Sequence, residues 1–134
     1  MRKPTRLREF GCPVEATVSI VGGKWKALVL FHLLSGALRF NELQRRLVSG
    51  GAGITQRMLT LQLRELEQDG VIVRTVYAAA APHVEYRLTE FGESLRPLLL
   101  AMRAWGADYL QAGAVYVVPC TEGRAGSAVG VDRR

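Results

Sequence analysis

Cysteine is scarce: Cys12 and Cys120 are the whole supply in 134 residues. Two thiols do not make a disulfide framework, so a reducing cytoplasm is the expected compartment. Histidine is equally rare, and neither His32 nor His83 has companions placed for catalysis. His32 lies inside an apolar run with no cysteine or carboxylate at ligand spacing beside it, which argues for a packed histidine rather than a metal ligand. No Ser-His-Asp order or paired-carboxylate motif is present, so the chain is not expected to be an enzyme, and no cofactor or metal is called for. No apolar run reaches the roughly 18 residues that a membrane span requires, which leaves no membrane partner. The basic stretch Met1 to Arg8 is not followed by the apolar core of a signal peptide, so secretion is not expected. A glycine-rich segment at 49–53 lacks a Gly-Lys-Ser/Thr ending, which argues against a nucleotide-binding loop.

The length fits one domain with a real core. An apolar share of 49% and a charged share of 22% are those of a globular protein. The net charge of +6 is unevenly placed. Residues 1–50 hold nine Lys/Arg against three Glu, whereas residues 51–134 hold nine basic and nine acidic side chains. A basic half beside a neutral half suggests one polyanion-facing surface, although a solvated basic face would show the same balance.

The segment Ile54–Gly70 reads as an amphipathic helix with both ends marked. Thr55 is a good N-cap, Ile54 and Leu59 occupy the places of a hydrophobic staple, and Gly70 supplies a left-handed stop. Met58, Leu59, Leu63 and Leu66 form an apolar stripe. Gln56, Arg57, Thr60 and Arg64 gather opposite it as long donors suited to phosphates and base edges. By itself this is also the pattern of an ordinary surface helix.

Its surroundings carry more. Residues 1–11 read as a flexible basic arm, with 12–112 as the domain and 113–134 as a flexible tail. Cys12 is placed as N-cap before Pro13, opening a helix that ends at Gly22-Gly23. Lys24-Trp25-Lys26 starts an apolar core helix that stops at Ser35-Gly36. A third, short helix presents Arg45 and Arg46, with Asn41 as its expected N-cap and Gln44 closing a capping box. Two helices joined by a glycine-bearing turn, the second with a donor-rich face, make a helix-turn-helix. After Gly70 the apolar period changes to two, which predicts a β-hairpin from Val71–Tyr77 and Val84–Leu88, placed as a wing. Thr89 then caps a long helix whose stripe of Leu95, Leu98, Leu99, Met102, Trp105 and Tyr109 runs past Pro97. A kink is expected at that proline. The stripe looks long for packing on so small a domain, which points to a partner helix; covering the domain's own core is the plainer account.

This order resembles the winged helix-turn-helix regulators of the HxlR type. The likeness rests on Cys-Pro-Val-Glu at 12–15, Gly-Gly-Lys-Trp-Lys at 22–26, Arg-Phe-Asn-Glu-Leu at 39–43, Gln-Arg-Met-Leu-Thr at 56–60, Leu-Arg-Glu-Leu-Glu at 63–67 and Val-Glu-Tyr-Arg-Leu-Thr at 84–89. It implies a mainly α fold with a small β-hairpin, and a transcription regulator, read as a repressor, that binds a double-stranded DNA operator as a homodimer. It further implies a dimer interface built from residues 13–21 and 89–111. Several features depart from the pattern. The 49–53 turn is longer than expected, Leu61 borders the DNA-facing surface, and the wing tip is mostly alanine.

On this reading Gln56 and Arg57 contact base edges, with Thr60 and Arg64 nearer the flanking backbone and Thr55 also among the DNA-binding residues. Lys24, Lys26, Arg39, Arg45 and Arg46 hold phosphates, and Arg74 and Arg87 serve the wing. A second expectation concerns an oxidant or other small-molecule effector. A thiol at a helix N-cap meets the positive end of the dipole, which favours the reactive thiolate, so Cys12 is a candidate redox sensor. The competing account makes Cys12 a small apolar residue at a dimer interface. A different class of function, a protein-interaction module using the long C-terminal helix without specific DNA binding, also fits the long stripe.

Overall fold

The computed structural model describes residues 9–113, and the chain runs through six helices and five short strands within them. Helix α1 (Pro13–Val21) begins with Cys12 as N-cap, in extended backbone, and ends at Gly22. Glu15 reaches back so that its carboxylate accepts the Gly11 N–H at 2.6 Å, tying the first turn to the residues before it. Residues 1–8 of the expected arm and 114–134 of the expected tail, Cys120 included, lie outside the described residues.

Helix α2 (Lys26–Leu33) is the centre of the core, with Val29, Leu30 and Leu33 fully or almost fully buried. Around it pack Leu43 and Leu47, then Leu59, Leu63 and Leu66, then Val71 and Ile72, and finally Leu88 and Leu99. Those residues come from every later helix but α5 and from the hairpin, so one core holds the whole described chain together.

The sheet is larger than a two-stranded wing. Strand β4 (Ile72–Tyr77) pairs antiparallel with β5 (His83–Leu88), from Ile72 opposite Leu88 to Tyr77 opposite His83. A third strand, β1 (Leu38–Arg39), adds to the other edge of β5, with Leu38 opposite Tyr86 and Arg39 opposite Glu85. Two residues are too short for a periodicity to show, so β1 had no signal in the sequence.

That strand also moves the start of helix α3 (Phe40–Arg46). Asn41 is not its N-cap. Arg39, held extended by pairing with β5, takes that place, and the Glu42 carboxylate accepts the Arg39 N–H at 3.1 Å. Gln44, expected to close the cap, instead donates from its side-chain amide to the carbonyl of Ile54 at 3.3 Å. The long turn after α3 is itself a miniature hairpin, β2 (Val48–Ser49) with β3 (Ala52–Gly53). Its tip needs two consecutive positive φ angles, 60° at Gly50 and 83° at Gly51, which the glycines supply without strain.

The C-terminal helix is two helices. Helix α5 (Glu90–Glu93) ends at Ser94, and α6 (Arg96–Gln111) begins after Leu95. Pro97 therefore does not kink a helix at its middle. It sits in the first turn of α6, where its missing N–H has no partner to lose.

Candidate nucleic-acid interface

Helix α4 (Gln56–Gln68) is fixed at both ends as the sequence indicates. The Thr55 hydroxyl accepts the Met58 N–H at 3.1 Å. At the other end Val71 N–H reaches the Leu66 carbonyl at 3.2 Å and Gly70 N–H reaches Glu67 at 3.0 Å, with Gly70 at φ 78°. This is a Schellman stop. Ile54 and Leu59 are both buried, as a staple requires.

The inward face is Leu59, Leu63 and Leu66. Met58 does not belong to it. One residue of rotation from Leu59 carries its side chain to the flank, where it is 38% exposed and its sulfur meets the Gln62 amide at 3.2 Å. The Lys26 ammonium meets the Glu65 carboxylate at 2.6 Å on that same flank. Lys26 is thus not free to hold a phosphate: it is buried, and its charge is committed to tying α2 to α4.

Diametrically opposite the core, Arg57, Leu61 and Arg64 follow one another at helical spacing, all exposed. Neither arginine has a hydrogen bond or ion pair among the described residues, so both guanidinium groups are available. Leu61 stands beside the two arginines, between them along the helix axis, 47% exposed. Gln56 is exposed on the shoulder beside the cap. Thr60 is half-buried, and its hydroxyl donates back to the Gln56 carbonyl at 2.8 Å, which ties up its proton but leaves lone pairs open.

Among the expected phosphate contacts, Lys24, Arg39 and Arg45 are exposed. Lys24 stands over the Trp25 ring, 5.0 Å from its centroid. Arg46 turns the other way, towards His32 and a groove behind the helix-turn-helix. Strand register separates the two wing arginines. Arg74 is opposite Tyr86 and Arg87 is opposite Val73, so they stand on opposite faces of the hairpin and cannot both turn to one surface. At the wing tip the His83 ring stacks on Tyr77, with centroids 4.9 Å apart, and its Nε2 lies 3.2 Å from the Glu85 carboxylate, which can only accept.

His32 is only half-buried, and burial followed by the charge of Arg46 lowers its pKa below the ordinary value of 6.5. No group of three His, Cys, Asp or Glu among the described residues could hold a metal ion. No described helix is long and apolar enough to cross a membrane. Cys12 is exposed, with its side chain making no cap hydrogen bond.

The family model described as HxlR-like helix-turn-helix matches residues 20–114. The chain belongs to the HxlR-like helix-turn-helix family. It is 58% identical over 99 residues to the uncharacterised HTH-type transcriptional regulator YdeP of Bacillus subtilis (strain 168), covering 74% of each chain. Among solved structures it is similar to the redox regulator HypR in its reduced form, at 51% identity and a TM-score of 0.67, over 75% of this chain and 99% of that one. The transcriptional regulator YodB from B. subtilis, also reduced, is 34% identical with a TM-score of 0.62, over 72% of this chain and 91% of that one. These relatives are named as regulators, and the family match over residues 20–114 spans the core, the helix-turn-helix and the hairpin of this chain together.

Proposed function

We propose that this protein is a sequence-specific DNA-binding transcriptional regulator that represses from a palindromic operator as a homodimer in the cytoplasm, and that it catalyses no reaction of its own. The observation that carries this is the outward stripe of α4. It offers two unpaired guanidinium groups flanking an exposed leucine, on a helix held rigidly at both ends. Arginine reads guanine through O6 and N7, and an apolar side chain meets the thymine methyl group, so the stripe has a reader for each. Gln56 lies one step to the side and suits adenine. Lys24, Arg39 and Arg45 would hold the phosphates that orient the domain.

A homodimer is supported by the apolar side chains that no core covers. Val14 and Val18 on α1 are 70% and 57% exposed, and Trp105 and Tyr109 on α6 are 68% and 52% exposed. Two-fold pairing of these helices would set two copies of α4 on one side of a duplex, with half-site centres one or two turns apart, roughly 10 or 20 base pairs. The test is a mobility shift and footprint on the DNA upstream of the protein's own gene. Arg57→Ala should cost about 1–3 kcal/mol of binding and relax the preference at one base pair. An unchanged footprint and affinity for that variant would remove Arg57 from the interface. No shift with any duplex, against capture of a protein through α6, would favour the interaction-module reading.

Oxidant or electrophile response through Cys12 is a second reading, favoured by one feature. The thiol is exposed at the N-terminus of α1, inside the face assigned here to dimerisation, and a similar protein is a redox regulator. Maleimide labelling of the free protein decides it. A Cys12 that reacts no faster than free cysteine at neutral pH is not a sensor.

A further inference from the structure

Behind the helix-turn-helix, on the side away from the α4 stripe, an open groove of about 720 Å³ lies between the C-terminal end of α2, β1, the end of α3 and the start of α6. Its apolar wall is Phe31, Leu38 and Leu100. Its polar rim is made by His32, Arg46 and Arg96. We propose that this groove binds a small organic carboxylate, its apolar body against Phe31, Leu38 and Leu100 and its carboxylate held by Arg46 beside His32.

Charge distinguishes the two arginines of the rim. Arg96 is occupied: its guanidinium donates to the Glu93 carboxylate at 3.0 Å and to the Leu34 carbonyl at 3.0 Å. Arg46 is not. It makes no hydrogen bond or ion pair among the described residues, although it is only partly exposed. Beside it in the groove is an imidazole whose pKa burial, and then the Arg46 charge, lower from the ordinary value. The charged group acting on His32 is thus Arg46 from α3; Arg96 from α6 lines the same groove but is paired with Glu93. A carboxylate would match the unpaired Arg46 guanidinium with two parallel hydrogen bonds. The apolar wall selects an amphipathic anion over an inorganic one, and the volume is that of small-molecule sites.

Occupancy would have consequences. A bound carboxylate would cancel the repulsion between Arg46 and His32, so binding should take up a proton and tighten as the pH falls. The groove also touches β1, which both pairs with the wing strand β5 and caps α3. A ligand bridging Arg46 and α6 would therefore join the DNA-reading half to the helix given above to dimerisation. That last step rests on the proposed DNA function, but binding itself does not.

The test is titration of the full chain with hexanoate and benzoate, each against its neutral amide, following the His32 ring signals by NMR. The carboxylates should shift those signals saturably in the millimolar range or tighter, and the amides should not. Affinity should be several-fold higher near pH 6 than near pH 8. Arg46→Gln should weaken carboxylate binding at least tenfold without changing the fold, and His32→Asn should remove the pH dependence. Equal binding of acid and amide, no binding by either, or unaltered binding by Arg46→Gln would each overturn the proposal. Carboxylate binding with no duplex bound under any condition would leave the groove standing and defeat the DNA reading instead.

Discussion

Leu61 shows how much a single side chain can specify on a polar face. Leaving a leucine 47% exposed costs hydrophobic free energy that burial elsewhere would have recovered. On the proposed DNA reading, its place between Arg57 and Arg64 along the stripe assigns it a thymine methyl group. An operator in which that thymine is replaced by uracil, which lacks only the methyl group, should bind the protein several-fold more weakly. Leu61→Ala should erase that difference, and a persistent preference for thymine in the variant would assign the methyl contact elsewhere. Gly92 specifies by absence. A Cβ there would lie 1.9 Å from the Val71 carbonyl oxygen, a backbone atom that already accepts the Thr89 N–H at 3.0 Å. Gly92→Ala should lower stability by about 1–3 kcal/mol or more, read as a reduced denaturant midpoint with an unchanged slope.

At the scale of elements, the orientation of the recognition helix depends on contacts that no local pattern announces. The Lys26–Glu65 pair joins α2 to α4 across 39 residues of sequence, with the two side chains only 11% and 27% exposed. Its partial burial makes the pair hard to break cheaply. Lys26→Ala should destabilise by about 1–3 kcal/mol, because the Glu65 carboxylate loses a partner where water only partly replaces it. A double-mutant cycle with Glu65→Ala should return a coupling of about 0.5–3 kcal/mol, whereas additive losses would mean the two act separately. The end of α4 is tied in the same way: the Thr89 hydroxyl donates to the Gly70 carbonyl at 2.6 Å and accepts the Gly92 N–H at 3.0 Å. Thr55 and Gly70 were legible because caps act within a turn of the chain. The use of Lys26 was not, because a lysine reads the same in sequence whether it meets a phosphate or a carboxylate from another helix. Asn41 was misassigned for a related reason: strand pairing at Arg39 overrode a local cap preference.

Two predictions belong to the whole molecule. Trp105 and Tyr109 stack on each other, centroids 5.3 Å apart, on a face exposed in one chain. Because Trp105 is 68% exposed there, Trp105→Asp should barely change the stability of a single chain while shifting the protein towards monomer in sedimentation. Unchanged sedimentation would move the dimer contact off this part of α6. The second concerns pH. The folded-state pKa of His32 lies below 6.5, so the unfolded chain takes up a proton first as the pH falls. This contribution to stability is therefore full above about 6.5 and is lost as the pH falls from there through the folded-state value. Thermal unfolding between pH 8 and pH 5 should show a decline that His32→Asn flattens, and an identical slope in the variant would place the titration at another group.

The first four helices, the two ends of α4, the inward leucines, the β4–β5 hairpin and the family were legible in the sequence, because each is written in spacing within a few turns or in motifs short enough to read directly. Tertiary structure decided what those elements do for one another. It made β1 a third strand, divided the last helix before Pro97, left Leu61 exposed and Met58 off the core, and turned the two wing arginines apart. It also sent Lys26 to Glu65 and Arg46 to His32. The physical reason is common to these cases. A side chain's period along the chain fixes its direction from its own axis, but its partner depends on which other element arrives there.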